Sequence, residues 1–293
     1  MTGAPPARYR PTGAGGPSDQ DGRFMTGTLP DDLVQDLVAT AHALADAARP
    51  ETLRHFRRDI ATDDKTGDEA GFDPVTEADR AAERAMRAVL AARRPEDAIL
   101  GEEYGHSPGT SSLTWVLDPI DGTRAYIAGA PTWGVLVSVR DADGPVFGLI
   151  DQPHINERFE GGFGVARLAG PRGESDLRTR AARPLSEAIL MTTFPEVGSP
   201  AERAGFEAVS QAAKLTRYGM DCYAYALVAL GQVDLVIEAG LNSYDICAPI
   251  AVIEAAGGRV TDWEGGPAHE GGRVIAAANP QIHAEALAML RGR

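Results

Sequence analysis

Long apolar runs are missing from this 293-residue chain: no stretch of about 18 consecutive apolar residues occurs in it. That absence excludes a transmembrane helix. The first residues are rich in Gly, Pro and Arg and lack an apolar core segment, so they do not read as a secretory signal, and a cytoplasmic location is expected. Basic charge is scarce as well. Lys and Arg number 28 against 42 Asp and Glu, a net charge of −14. Nucleic-acid phosphates need basic stripes, so a nucleic-acid partner is not expected, and neither is a membrane. Lysine is nearly absent, with only Lys65 and Lys214, which reflects composition and not mechanism. The two cysteines, Cys222 and Cys247, lie far apart in apolar segments. They read as small buried hydrophobes, not as a disulfide or a metal site.

The remaining composition, 43% hydrophobic and 24% charged, is that of a globular protein with a sizeable core, in one large domain or two packed halves. Residues 1–28 are Gly/Pro-rich and polar, expected to be a disordered leader, and Met25 offers an alternative start. Apolar spacing predicts a helix from Asp31 to Ala48 that ends before Pro50, then a polar, exposed loop over residues 62–72. Thr76 and Asp79 have capping-box spacing ahead of a helix reaching about Arg94. Ile99-Leu100-Gly101 reads as a strand running into Glu102 and Glu103, of which at most one can face a site. Strands over 133–139 and 146–150 flank a hairpin turn, and residues 166–184 read as a basic connection between halves. Beyond it, strands and helices alternate. The expected organisation is an α+β half over residues 29–180 and an α/β half over 181–293.

The chemistry concentrates in Trp115-Val116-Leu117-Asp118-Pro119-Ile120-Asp121-Gly122-Thr123. A buried strand ends in two carboxylates three residues apart. Pro119 has no N–H for a ladder, and Gly122-Thr123 can open a helix. Carboxylates alone repel a phosphate, but carboxylates that hold Mg²⁺ at a helix N-terminus attract one. A plainer reading also fits: a turn in which Asp118 caps the helix and Asp121 is solvated. Glu102 and Asp245 stand at two further junctions, with Asp245 also readable as the N-cap of the helix that follows it. His106, His154, His269 and His283 read as solvated.

Gly101-Glu102-Glu103, Asp118-Pro119-Ile120-Asp121-Gly122-Thr123, and Tyr244-Asp245 followed by a helix and Gly257-Gly258 resemble the inositol monophosphatase family; the segment Asp73 to Asp79 matches its upstream Thr-x-x-Asp element. Thr123-Arg124-Ala125-Tyr126-Ile127, Gly148 to Pro153 with Glu157-Arg158, and Glu238-Ala239-Gly240-Leu241 look like its histidinol-phosphatase branch. Tyr244, where many inositol phosphatases carry Trp, departs from the inositol pattern. The resemblance implies a layered αβαβα sandwich and two or three Mg²⁺ ions. One ion would be held by Glu102, Asp118 and the Ile120 carbonyl, a second by Asp118, Asp121 and Asp245, with Asp79 near a third through water. It further implies hydrolysis of a small phosphate ester by a metal-activated water that Glu102 and Thr123 orient. The N–H groups of Gly122 and Thr123 would face phosphoryl oxygens, and Glu238, Asp221 and Gly219 would meet the leaving group. The implied reaction is hydrolysis of L-histidinol phosphate in histidine biosynthesis, by an enzyme from a commonly homodimeric family. The alternatives are an inositol-1-phosphate or broad sugar-phosphate phosphatase, and a catalytically silent binding module, which the full ligand set argues against. Asp151 and Arg158 fit structural pairing better than substrate contact.

Overall fold

A computed structural model describes residues 29–58, 62–64 and 74–291. The expected leader, 1–28, lies outside these residues, as does most of the loop expected over 62–72. In chain order the elements are α1 (Asp31–His55), β1 (Thr62–Asp64), β2 (Pro74–Thr76), α2 (Glu77–Arg93), β3 (Ala98–Gly101), β4 (Gly105–Ser107), β5 (Thr114–Asp121) and α3 (Thr123–Ile127). Then come β6 (Gly134–Arg140), β7 (Pro145–Gln152), β8 (Glu157–Gly162), β9 (Val165–Gly170), β10 (Gly173–Asp176), β11 (Ile189–Thr192), α4 (Pro200–Ala212) and β12 (Leu215–Tyr218). The chain closes with α5 (Asp221–Ala229), β13 (Leu235–Leu241), α6 (Ser243–Ala255), β14 (Arg259–Asp262), β15 (Gly272–Ala277) and α7 (Pro280–Arg291).

Strands β3 to β10 form one sheet in the order β10-β9-β8-β7-β6-β5-β3-β4, antiparallel except for the β3–β5 pair. Its outer face is covered by α1 and α2, through Leu37, Leu44 and Met86 on Trp115, Leu117, Val137 and Phe147. A second sheet, β12-β11-β13-β15-β14, has α4 and α7 on its far side, through Phe206, Ile282 and Leu290. Between the sheets lie α5 and α6. Helix α6 is apolar on every side, as a helix sandwiched between two sheets has to be. Gly148 and Gly161 let it rest directly on β7 and β8. A Cβ at either position would come within 2.5 Å of α6 backbone. The layers are therefore α/β/α/β/α, as the resemblance implied.

Four local expectations are corrected. Helix α1 runs past Pro50 to His55, because Thr52 and Phe56 still have core to fill and the Tyr126 hydroxyl donates to the Thr52 carbonyl (2.6 Å). Proline removes one helical hydrogen bond, and tertiary packing outweighs that loss. Part of the loop expected over 62–72 is a strand: Thr62–Asp64 pairs antiparallel with β2. The supposed connection over 166–184 contains β9 and β10, which extend the large sheet and pair Arg167 with Glu160 and Glu174. His283 is not solvated. It is 3% exposed beside the Thr261 hydroxyl, and burial pushes its pKa down to about 4. Asp151 and Arg158 do pair structurally, with Arg49 as a third member, and tie α1 to β7 and β8.

Candidate active site

The site forms where β3 and β5 of the large sheet meet the N-termini of α3, α5 and α6. Ladder pairing of β5 with β6 is interrupted, not ended, between Asp118 and Asp121, and the strand resumes through Asp121. Pro119 falls at that irregularity, where a residue with no N–H to donate does least harm. The Asp118 carboxylate accepts the Ile120 N–H (3.0 Å). Gly122 then turns the chain with φ of 86°, and a Cβ there would stand 2.7 Å from the Asp221 carboxyl carbon. Glycine is required at this position on both counts.

One carboxylate oxygen each from Asp118, Asp121 and Asp245 lie within 4.8 Å of one another. Asp118 is buried, and its pKa is raised well above the usual range by burial and then by the charges of Glu102, Asp121 and Asp245. Burial and the charges of Asp245 and Asp221 push Asp121 up as well, against an N–H donated by Cys222 (2.6 Å). Burial raises Asp245 to about 7, opposed by the Asn242 N–H it accepts (2.6 Å). Asp245 is not the N-cap. Asn242 is, and Asp245 closes its capping box from the third helical position, which aims the carboxylate back at the cluster.

Glu102 enters from the end of β3. Its N–H bonds the Leu117 carbonyl (3.1 Å), and its carboxyl group hydrogen-bonds Asp118. The turn that carries it is fixed by a residue that sequence reasoning did not single out. Glu83 of α2 is fully buried and accepts the N–H groups of Glu103 (2.7 Å) and Tyr104 (3.3 Å). Asp79 is fully buried, and its carboxylate completes the capping box with Thr76. Its other oxygen is 3.4 Å from the Thr123 hydroxyl, which also donates to the Ile120 carbonyl (3.1 Å). The helix-cap reading of Asp79 holds, and the same carboxylate also reaches Thr123.

A cleft of about 330 Å³ opens over the cluster, lined among others by Glu102, Asp121, Gly122, Thr123, Asp221, Glu238 and Asp245. Glu238, from β13, accepts the Thr193 N–H (2.9 Å), the Thr193 hydroxyl and the Tyr225 hydroxyl (2.7 Å); burial raises its pKa against those bonds. Asp221, held at φ of 47°, accepts the Thr132 hydroxyl (2.7 Å), and burial raises it too. Gly219 does not line the cleft. Its φ of 76° turns the chain from β12 towards α5, and its N–H anchors the Thr192 and Thr193 carbonyls. Arg124, Phe194, Tyr225 and Tyr244 also line the cleft without having been assigned to it. For Phe194 the available signal was its place just beyond the C-terminal end of a strand in the α/β half.

A sequence model described as the inositol monophosphatase family matches residues 33–292. This chain belongs to the inositol monophosphatase family. It is 40% identical over 273 residues to the chloroplastic bifunctional phosphatase IMPL2 of Arabidopsis thaliana, covering 89% of this chain and 77% of that one. It is 34% identical to a histidinol-phosphatase of Streptomyces coelicolor, covering 90% of this chain and 100% of the relative. The structure superposes on an inositol monophosphatase from Zymomonas mobilis with a TM-score of 0.78 at 38% identity, over 88% of this chain and 98% of the other. The chain is a phosphoric monoester hydrolase of a metal-dependent family, and its acidic cluster supplies a donor set for metal. Among the described residues no helix is long and apolar enough to cross a membrane.

Proposed function

We propose that this phosphatase hydrolyses L-histidinol phosphate to L-histidinol and phosphate, with Mg²⁺ as its cation. The carrying observation is the second set of acids. Beyond the cluster, the cleft presents Asp221 and Glu238, both largely buried, where a leaving group with an ammonium could pair with them. The same acids would accept hydroxyl groups of a polyol, so the choice of the ammonium rests on the relatives named histidinol-phosphatase, which support this reading.

The donor set fits Mg²⁺. Hard carboxylate oxygens converge, lose solvation and raise one another's pKa, a repulsion that a divalent cation relieves. Glu102, Asp118 and the Ile120 carbonyl would hold one ion; Asp118, Asp121 and Asp245 a second; Asp79 would stand near a third. When bound, such ions neutralise phosphate charge and lower the pKa of a coordinated water. The chain itself orients the reactants. The Glu102 carboxylate accepts a hydrogen bond from the attacking water, and the Thr123 hydroxyl, held by Ile120 and Asp79, fixes its approach. The N–H groups of Gly122 and Thr123 face the phosphoryl oxygens. Cys222 plays no nucleophilic part. Its thiol is buried, and burial and Asp121 hold it protonated.

Inositol-1-phosphate is the second reading, favoured by the Zymomonas mobilis superposition. The test is kcat/KM for the two esters with Mg²⁺ present. A preference for L-histidinol phosphate of at least tenfold is expected, and it should shrink in Glu238→Gln. A preference for inositol-1-phosphate would overturn the assignment.

A further inference from the structure

Phe194 is 46% exposed although it lines the cleft of a largely acidic site. It is also tightly placed. The preceding residue, Thr193, is clamped by Glu238 through both its N–H and its hydroxyl, and by Gly219 through its carbonyl. The Arg124 guanidinium lies over the Phe194 ring, 5.0 Å from its centroid. Arg124 belongs to α3, immediately after Thr123, so the pair joins the phosphate end of the cleft to the wall facing the leaving group. A half-exposed aromatic ring on an anchored backbone is poor material for binding hydroxyl groups. It suits a planar, apolar face.

We propose that Phe194, backed by Arg124, is the wall against which an aromatic ring of the leaving group packs, and so determines specificity for ring-bearing over ringless phosphate esters. This rests on the reading of the cleft as a site for L-histidinol phosphate and names the part of the molecule that the acids do not account for. Asp221 and Glu238 would select the ammonium, while Phe194 would select the ring. An aromatic contact of this kind is worth about a tenfold preference.

The experiment compares two ester pairs that differ by a ring: L-histidinol phosphate against L-alaninol phosphate, and benzyl phosphate against ethyl phosphate. Both kcat/KM ratios are measured for the wild-type enzyme, Phe194→Leu and Phe194→Tyr. Phe194→Leu is expected to lower both ratios about tenfold, and Phe194→Tyr to restore them. Equal losses on both members of each pair, or unchanged ratios, would overturn the proposal. The second pair contains no amine. If the wild-type enzyme ignores L-histidinol phosphate, the substrate assignment fails while the benzyl-to-ethyl ratio still decides the role of Phe194.

Discussion

At the scale of single residues, Asp118 carries the most. It lies beside Glu102, Asp121 and Asp245, is buried, and is raised well above its ordinary range by burial and those three charges. Asp118→Asn keeps the volume and removes the charge. Turnover at saturating Mg²⁺ is expected to be lost, while the metal-free variant melts roughly 2–4 °C above the metal-free wild type, because about 1 kcal/mol of like-charge repulsion has gone. Phosphate-release assays and thermal unfolding check the two halves of that statement, and retained turnover would remove Asp118 from the proposed ligands of both ions. Asp118 and Asp121 were legible as a junction from sequence because Pro119 cannot pair and Gly122 can open a helix, whereas local grammar made Asp245 an N-cap and only the resemblance placed it with them. Glu83 and Phe194 were not legible. Nothing local distinguishes a buried helix glutamate from a solvated one, or a pocket phenylalanine from a core one, until the fold supplies the neighbours.

At the scale of elements, the β3 end and α2 form one device. Glu83 reaches from α2 to the turn after Gly101, and a Cβ at Gly101 would come within 2.0 Å of its carboxylate oxygen. Glu83 has nowhere to retreat, being fully buried and held by Arg87 (2.7 Å). Gly101→Ala is therefore expected to cost about 1–3 kcal/mol in urea unfolding. It should also raise the Mg²⁺ concentration needed for half-maximal activity several-fold, since the turn that aims Glu102 is displaced. A stability loss with unchanged Mg²⁺ activation would separate Glu83 from the site. Elements with strong periodicity, such as α2 and the β6–β7 hairpin, were readable from the chain alone. Helix α1 was cut short in that reading because Pro50 is locally a stop, and only the core waiting for Thr52 and Phe56 overrides it. Strand β10 was missed because it is a four-residue, wholly exposed edge strand with the pattern of a linker, and β9 because only Leu168 of its six residues is buried.

At the scale of the whole molecule, five layers bring the large sheet's β3 and β5 ends against α5 and α6, so the cluster is completed from both halves of the chain. That convergence has a stability consequence. Asp245 has a pKa near 7 in the folded protein against 3.8 for an ordinary aspartate. Between those values the folded state binds the extra proton, so the stabilisation present below pH 3.8 is lost as pH rises through 7. Chelator-stripped protein is expected to be about 1 kcal/mol less stable at pH 8 than at pH 6 by thermal unfolding, with Mg²⁺ or Asp245→Asn reducing the difference. A stripped protein equally stable at both pH values would contradict the electrostatic account.

The claim on which the rest depends is that this acidic cluster works by holding a cation. The most direct measurement is phosphate release from L-histidinol phosphate by chelator-stripped enzyme as Mg²⁺ is added back stepwise, alongside Asp118→Asn. The account predicts no release without the ion, saturable recovery with it, and none in the variant at any concentration. Release that persists in excess chelator, or a variant that recovers with the wild-type profile, would contradict it.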